Sequence, residues 1–183
     1  MTAGRDLTDD EFGETLRSFE RTAFRLELQP AYAEPSETGL LAAFLRDEPL
    51  PPTTHPGFRQ WYAQIAAQTR DGKRIARVRV QQDPPTDYQR FERYLDNWNI
   101  PAGETMRYLT WQQAHDIGLL PGAGPDDFWL LDDAKLIVMR FDADHRRTQN
   151  QLVTDPVSVA KARECRDLAV QHSVRAQIPV AAA

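Results

Sequence analysis

Three capping boxes punctuate this chain, Thr8 with Glu11, Thr86 with Gln89 and Thr110 with Gln113, and between them run segments whose apolar residues recur at every second position. In a capping box the hydroxyl and the acidic or amide side chain three residues on each accept a free backbone N–H, so each box starts a helix. Period-two alternation marks a half-buried strand. A chain that switches between the two signals packs helices on a sheet, and the expected fold class is α+β.

The switches come in a readable order. After the first box, Phe12, Leu16 and Phe19 share one helix face. Phe24, Leu26 and Leu28 then alternate with Arg25 and Glu27, and Pro30 closes that strand. Ser36 is placed to cap a short helix carrying Leu40, Leu41, Phe44 and Leu45, after which Pro49, Pro51 and Pro52 force an extended link. A helix with Phe58, Trp61, Tyr62 and Ile65 on its inner side stops at Asp71-Gly72, and a strand over Arg74–Val80 follows. The helix opened by Thr86 carries Tyr88, Phe91, Leu95 and Trp98. A short strand around Met106 to Leu109 leads into the third box, Phe128–Leu131 and Leu136–Phe141 read as a hairpin, and Thr148 to Val153 reads as extended. Asp155 and Pro156 start a last helix that reaches about His172. With 183 residues, 41% of them hydrophobic, there is material for one core. The expectation is a single domain over 1–178: a mixed sheet of five or six strands flanked by helices, with Arg74–Val80 central and a frayed tail over 179–183.

Several function classes drop out on composition. A net charge of −5 argues against a surface that attracts nucleic acid generally. Cys165 is the sole cysteine and cannot form an intramolecular disulfide, and the first residues lack the basic and apolar blocks of a secretory leader. No apolar run approaches the roughly 20 residues that span a bilayer. The expected location is the cytoplasm, without membrane contact. His55, His115, His145 and His172 stand apart, at no zinc-site spacing, and no nucleophile lies beside a base in sequence. No catalytic residue, metal ligand or cofactor site is therefore expected.

What polar chemistry remains is concentrated. Arg77 and Arg79 stand on one face of their strand, about 7 Å apart, while Ala76, Val78 and Val80 take the other. Such a pair can grip a phosphate, or fork with carboxylates such as Glu27, Glu104 or Asp127. Asp126, Asp127, Asp132 and Asp133 bracket an apolar run, but no calcium-type loop surrounds them, and Asp132-Asp133 reads as a turn pair. The run Pro121–Pro125 lacks the lysine and hydroxyl of a phosphate loop and precedes a strand. Trp61, Trp98, Trp111 and Trp129 read mainly as core.

Taken together, Phe24-Arg-Leu-Glu27, Arg77-Val-Arg-Val80, the run from Asp87 to Glu92, Ala102-Gly-Glu104 and the run from Asp127 to Asp133 resemble an uncharacterised actinobacterial family whose members are often encoded beside helix-turn-helix regulators. The resemblance covers about Phe12 to Val174 and implies a regulatory association, with a helix-turn-helix protein as partner. It implies a binding site at Arg25, Glu27, Arg77, Arg79, Tyr88, Glu104, Asp127, Trp129 and Asp132. The element order is also similar to one half of a phospholipase D-like domain. That superfamily attacks with a histidine followed two residues later by lysine; here those positions hold Gly57, Ile117, Arg147 and Val174, so the likeness implies a catalytically dead relative. The leading expectation is a non-enzymatic regulatory or protein-interaction module. The alternative is a sensor or enzyme that takes an anionic or phosphorylated small molecule in an arginine–carboxylate pocket.

Overall fold

A computed structural model describes residues 4–178; the tail expected over 179–183 lies outside the described residues. In chain order the elements are β1 (Arg5–Asp6), α1 (Asp9–Ser18), β2 (Thr22–Glu27), α2 (Thr38–Leu45), a 3-10 turn (Pro52–Thr54), α3 (Pro56–Arg70), β3 (Arg74–Gln81), α4 (Asp87–Ala102), β4 (Thr105–Thr110), α5 (Trp111–Asp116), β5 (Asp127–Leu131), β6 (Lys135–Phe141), β7 (Arg147–Val153), α6 (Pro156–His172) and β8 (Val174–Arg175). All three capping boxes form. Glu11 N–H donates to Thr8 Oγ1 at 3.2 Å, Gln89 N–H to Thr86 Oγ1 at 3.1 Å and Gln113 N–H to Thr110 Oγ1 at 3.1 Å, each with the reciprocal bond in place.

One mixed sheet of eight strands runs in the order β1-β7-β6-β5-β2-β3-β4-β8. The two strands beyond the expected number are β1 and β8, two-residue edges that exist only through pairing with β7 and β4. β2, β3 and β4 are parallel, joined by crossovers that carry α3 and α4, while β5, β6 and β7 form an antiparallel meander docked on β2. β3 therefore lies between two partners, β2 and β4.

Alternation in β2, β3 and β5 divides the sheet into two unlike faces. Phe24, Leu26, Val78, Val80, Phe128 and Leu130 point to one side and bury with Leu109, Ala114, Leu119, Val159, Ala162, Cys165 and Ala169, under α5 and α6. At roughly 1.5–3 kcal/mol per large side chain, this layer is the dry core. The other side packs Ala23, Ile75, Trp129, Leu131, Ile137 and Met139 against Leu16 of α1 and Ile65 of α3. Further along, Tyr32, Leu40, Tyr88, Phe91 and Leu95 join α2 to α4.

Two local expectations change, and one helix runs on through a proline. Ser36 does not cap α2: the capping position belongs to Glu37 and makes no side-chain bond, so the helix starts on packing of Leu40 and Phe44 instead. α4 runs through Pro101 to Ala102, since a proline in the last turn forfeits only one helix bond, and it ends on Gly103 at φ +111°. Trp61 and Trp98 are only half-buried on their helices.

Candidate functional site

The helix-covered face of the sheet carries charge where a core would normally be apolar. Pairing places Arg25 beside Arg77 and Glu27 beside Arg79 across β2 and β3, and Trp129 beside Arg25 across β2 and β5. Two arginines side by side repel, and Glu27 resolves this as a shared acceptor. Its Oε1 lies 3.1 Å from Arg25 Nη1 and 2.9 Å from Arg77 Nη1, and its Oε2 accepts from Arg79 Nε at 2.7 Å. Burial alone would raise the Glu27 carboxyl, but the guanidiniums of Arg25, Arg77 and Arg79 hold it down at about 2.

Each arginine has a second acidic partner. Arg77 reaches Glu104, placed just past the Gly103 cap, through Nε at 3.0 Å and Nη2 at 2.9 Å. Arg79 donates through Nη1 to Asp96 at 2.9 Å, to the Glu92 carbonyl at 3.2 Å and to the Tyr108 hydroxyl at 3.0 Å, while the Tyr108 hydroxyl itself donates to Asp96. Arg25 Nη2 lies 3.4 Å from Asp127, which also accepts from Tyr32 Oη at 2.6 Å and from Leu28 N–H at 2.8 Å. Arg25 lies over the rings of Tyr32 and Trp129 at 5.4 and 5.7 Å, and Arg77 over Trp129 at 5.7 Å.

Three guanidiniums thus face five buried carboxyls: Glu27, Glu92, Asp96, Glu104 and Asp127. The excess of acids shows in their protonation. Burial pushes Glu92 up to about 8; Arg79 lowers it, but Glu27 and Glu37 repel its charge. Burial likewise pushes Asp127 up to about 6 against the pull of Arg25, and Glu37 to about 7, where the hydrogen bond from Tyr88 works the other way. Two donors on the floor, Arg25 Nε and Trp129 Nε1, have no acceptor among the described residues.

Over this floor lies a cavity of about 360 Å³. Arg25, Glu27, Arg77, Arg79 and Glu92 form its base, Tyr32, Tyr88, Phe58, Trp61, Leu95 and Trp129 its walls, and Glu34, Ser36, Glu37, Gly57 and Arg147 its mouth. The mouth comes mostly from the irregular segment between β2 and α2, held by Tyr88 Oη donating to Glu37 and by Thr86 Oγ1 donating to the Pro30 carbonyl at 2.8 Å.

Of the nine residues singled out by sequence, eight belong to this assembly: Arg25, Glu27, Arg77, Arg79, Tyr88 and Trp129 line the cavity, and Glu104 and Asp127 back the arginines. Asp132 does not. It sits in the β5–β6 turn at φ +52° and accepts from the backbone N–H groups of Glu20, Arg21 and Thr22 at 2.7, 2.7 and 2.9 Å, tying that turn to the start of β2. The other aspartates of that loop also part company, Asp126 lying 3.4 Å from Arg140 and Asp133 pairing with Arg166. Among the described residues, no three histidine, cysteine or acidic side chains group as a metal site.

Sequence reading missed Tyr32, Glu37, Glu92, Asp96 and Tyr108. Glu92 and Asp96 were findable: Tyr88, Glu92 and Asp96 recur every four residues and form a polar stripe on the inner face of α4. Tyr108 was findable too, since it shares a face of β4 with the buried Met106. Tyr32 and Glu37 lie on irregular chain, where no period points inward.

A family model described as "Domain of unknown function (DUF6879)" matches residues 10–177. No curated protein matches the chain. Among solved structures, a phosphatidylserine synthase from Haemophilus influenzae Rd KW20 is similar at 10% identity with a TM-score of 0.45; the match covers 93% of this chain and 38% of that one.

Proposed function

The chain belongs to the DUF6879 family, and we propose that it is a non-enzymatic regulatory module that binds a small molecule in the cavity above the β2–β3 charge network and acts through a protein partner. The observation that carries this reading is the coincidence of the cavity with the most heavily charged buried cluster among the described residues. Buried ion pairs are commonly no more stabilising than apolar residues of the same shape, so a cluster of eight ionisable side chains is poorly explained as stability alone. A hollow lined with aromatic rings and displaced pKa values is what a ligand site requires.

Binding is favoured over covalent chemistry because the serine, tyrosines and carboxylates that line the cavity have no histidine or lysine beside them among its described lining residues to act as the activating base. The mouth segment offers a route to a partner, since occupancy of the cavity would bear directly on the Tyr88–Glu37 contact and on the strap leading into α2. A helix-turn-helix regulator, implied by the family resemblance, is the partner we propose, in the cytoplasm. No helix among the described residues is long and apolar enough to cross a membrane.

A thermal-shift panel of nucleotides, sugar phosphates, amino acids and amines tests the ligand reading, since a ligand at 100 times its Kd stabilises the fold by about 2.7 kcal/mol. A melt that no class of ligand moves would refute it. The partner reading is tested by co-expression with a helix-turn-helix regulator of the same cell, and fails if the two proteins elute separately.

A further inference from the structure

If the cavity is a ligand site, as proposed above, its uncommitted valences specify what can enter. Most of the guanidinium N–H groups are taken, Arg25 Nε being without an acceptor among the described residues. Arg79 donates Nε to Glu27 at 2.7 Å and Nη1 to three acceptors, and Arg77 commits Nε to Glu104 at 3.0 Å and Nη1 to Glu27 at 2.9 Å. Arg147 at the mouth lies 3.2 Å from Asp9 and stacks over Phe12. An entering phosphate or carboxylate would compete with Glu27, Glu104 and Asp96 for most of the guanidinium contacts it made.

On the acidic side valences are open. Glu92 is 5% exposed and lines the cavity, yet its one polar neighbour is Arg79 Nε at 3.2 Å, whose single hydrogen is directed to Glu27. No donor among the described residues makes a hydrogen bond to the Glu92 carboxyl. A buried carboxyl without a donor is costly, and the cavity is the side from which one can come. At the mouth, Glu34 and Glu37 have no cationic partner within salt-bridge distance among the described residues. The rings of Tyr32 and Tyr88, 5.7 Å apart, stand beside them with the negative faces that attract positive charge.

We propose that the cavity binds an organic cation, a small molecule with an ammonium, amidinium or guanidinium group that donates N–H to Glu92 and places its charge among Glu37, Glu34 and the tyrosine rings. The groups that face Glu92 are Arg79 and Arg77 from β3, Glu27 from β2 and Glu37 from the mouth. With Glu92 held up to about 8 and Glu37 to about 7, an arriving cation expels protons from them. Affinity therefore rises with pH.

The test is calorimetric titration and thermal shift of the full chain with agmatine, putrescine and spermidine, against tetramethylammonium, ATP, glucose 6-phosphate and inorganic phosphate. We expect at least one N–H cation to bind, about tenfold or more tightly near pH 8.5 than near pH 6.5, and tetramethylammonium to bind at least about tenfold less tightly for want of a donor. Glu92→Gln, nearly isosteric, should weaken the cation by about tenfold or more and flatten the pH dependence, with circular dichroism confirming the fold. Glu34→Gln, remote from the buried network, should weaken it by a smaller factor. A melt shifted only by the phosphates would overturn the cation while leaving the cavity a ligand site; a melt shifted by neither class would overturn both. A Glu92→Gln protein that binds the cation like the parent would also refute the proposal.

Discussion

Replacing Glu92 by glutamine should make the protein more stable, and increasingly so as pH rises from about 4.5 to about 8. The Glu92 carboxyl rises from 4.5 to about 8 on folding because burial outweighs Arg79. Below pH 4.5 the group is neutral in both states and contributes nothing differential. Between 4.5 and about 8 the folded chain holds a proton that the unfolded chain releases, so stability falls as pH rises, by about 1.4 kcal/mol per pH unit for a full proton. From about pH 6 to about pH 8 that amounts to roughly 2.7 kcal/mol. Glutamine keeps the shape and carries no charge, so the variant's margin over the parent should grow by about 2–3 kcal/mol between about pH 6 and about pH 8, or roughly 5–10 °C in Tm for a chain of this size. Glu37 and Asp127 titrate nearby, and the difference between variant and parent removes their common contribution. Urea melts of both proteins across this pH range provide the check. Parallel profiles, or a variant less stable at pH 8, would show that Glu92 is ionised in the fold and that Arg79 holds it so.

Glu27 should behave in the opposite sense: held at about 2 against 4.5 unfolded, it stabilises the fold above 4.5, and acid melts should show that stability lost as pH falls from about 4.5 towards 2, with Glu27→Gln lacking this limb. Asp132→Ala should lower stability by about 2–4 kcal/mol in denaturant melts, because three backbone N–H groups lose their acceptor and alanine is strained at φ +52°. Gly103→Ala should cost about 2–4 kcal/mol, since a Cβ there would meet Thr69 Oγ1 at 2.5 Å; thermal melting close to the parent's would refute that close approach. Arg79→Ala should cost about 3–5 kcal/mol by leaving Asp96 buried without its cation and removing one of the three guanidiniums on Glu27, and an unchanged melt would mean that water reaches them.

Much of this site could be read from the residues because strands announce which side chains share a face. Arg25 with Glu27, and Arg77 with Arg79, followed from alternation alone. Which carboxylate serves which guanidinium did not, because that depends on the register between strands a hundred residues apart, as with Arg25 and Asp127. Asp132 entered the candidate site only through the family resemblance; its own neighbourhood reads as a turn pair, and that is where it lies. The edge strands β1 and β8 carry no periodicity over two residues and are made by their neighbours. Glu37 came to the mouth by way of an irregular segment, which no pattern rule reaches.

Glu27 as the common acceptor of three arginines has a further consequence for how the protein assembles. Arg25 is held by a residue two positions away and by another 102 positions away, so a partly folded chain that joins β2 to β3 without β5 leaves Arg25 without Asp127 as water is withdrawn. Such a half-built sheet is penalised electrostatically before its apolar faces can close. The parallel and antiparallel halves are in this way bound into a single cooperative unit, and neither is favoured to persist without the other.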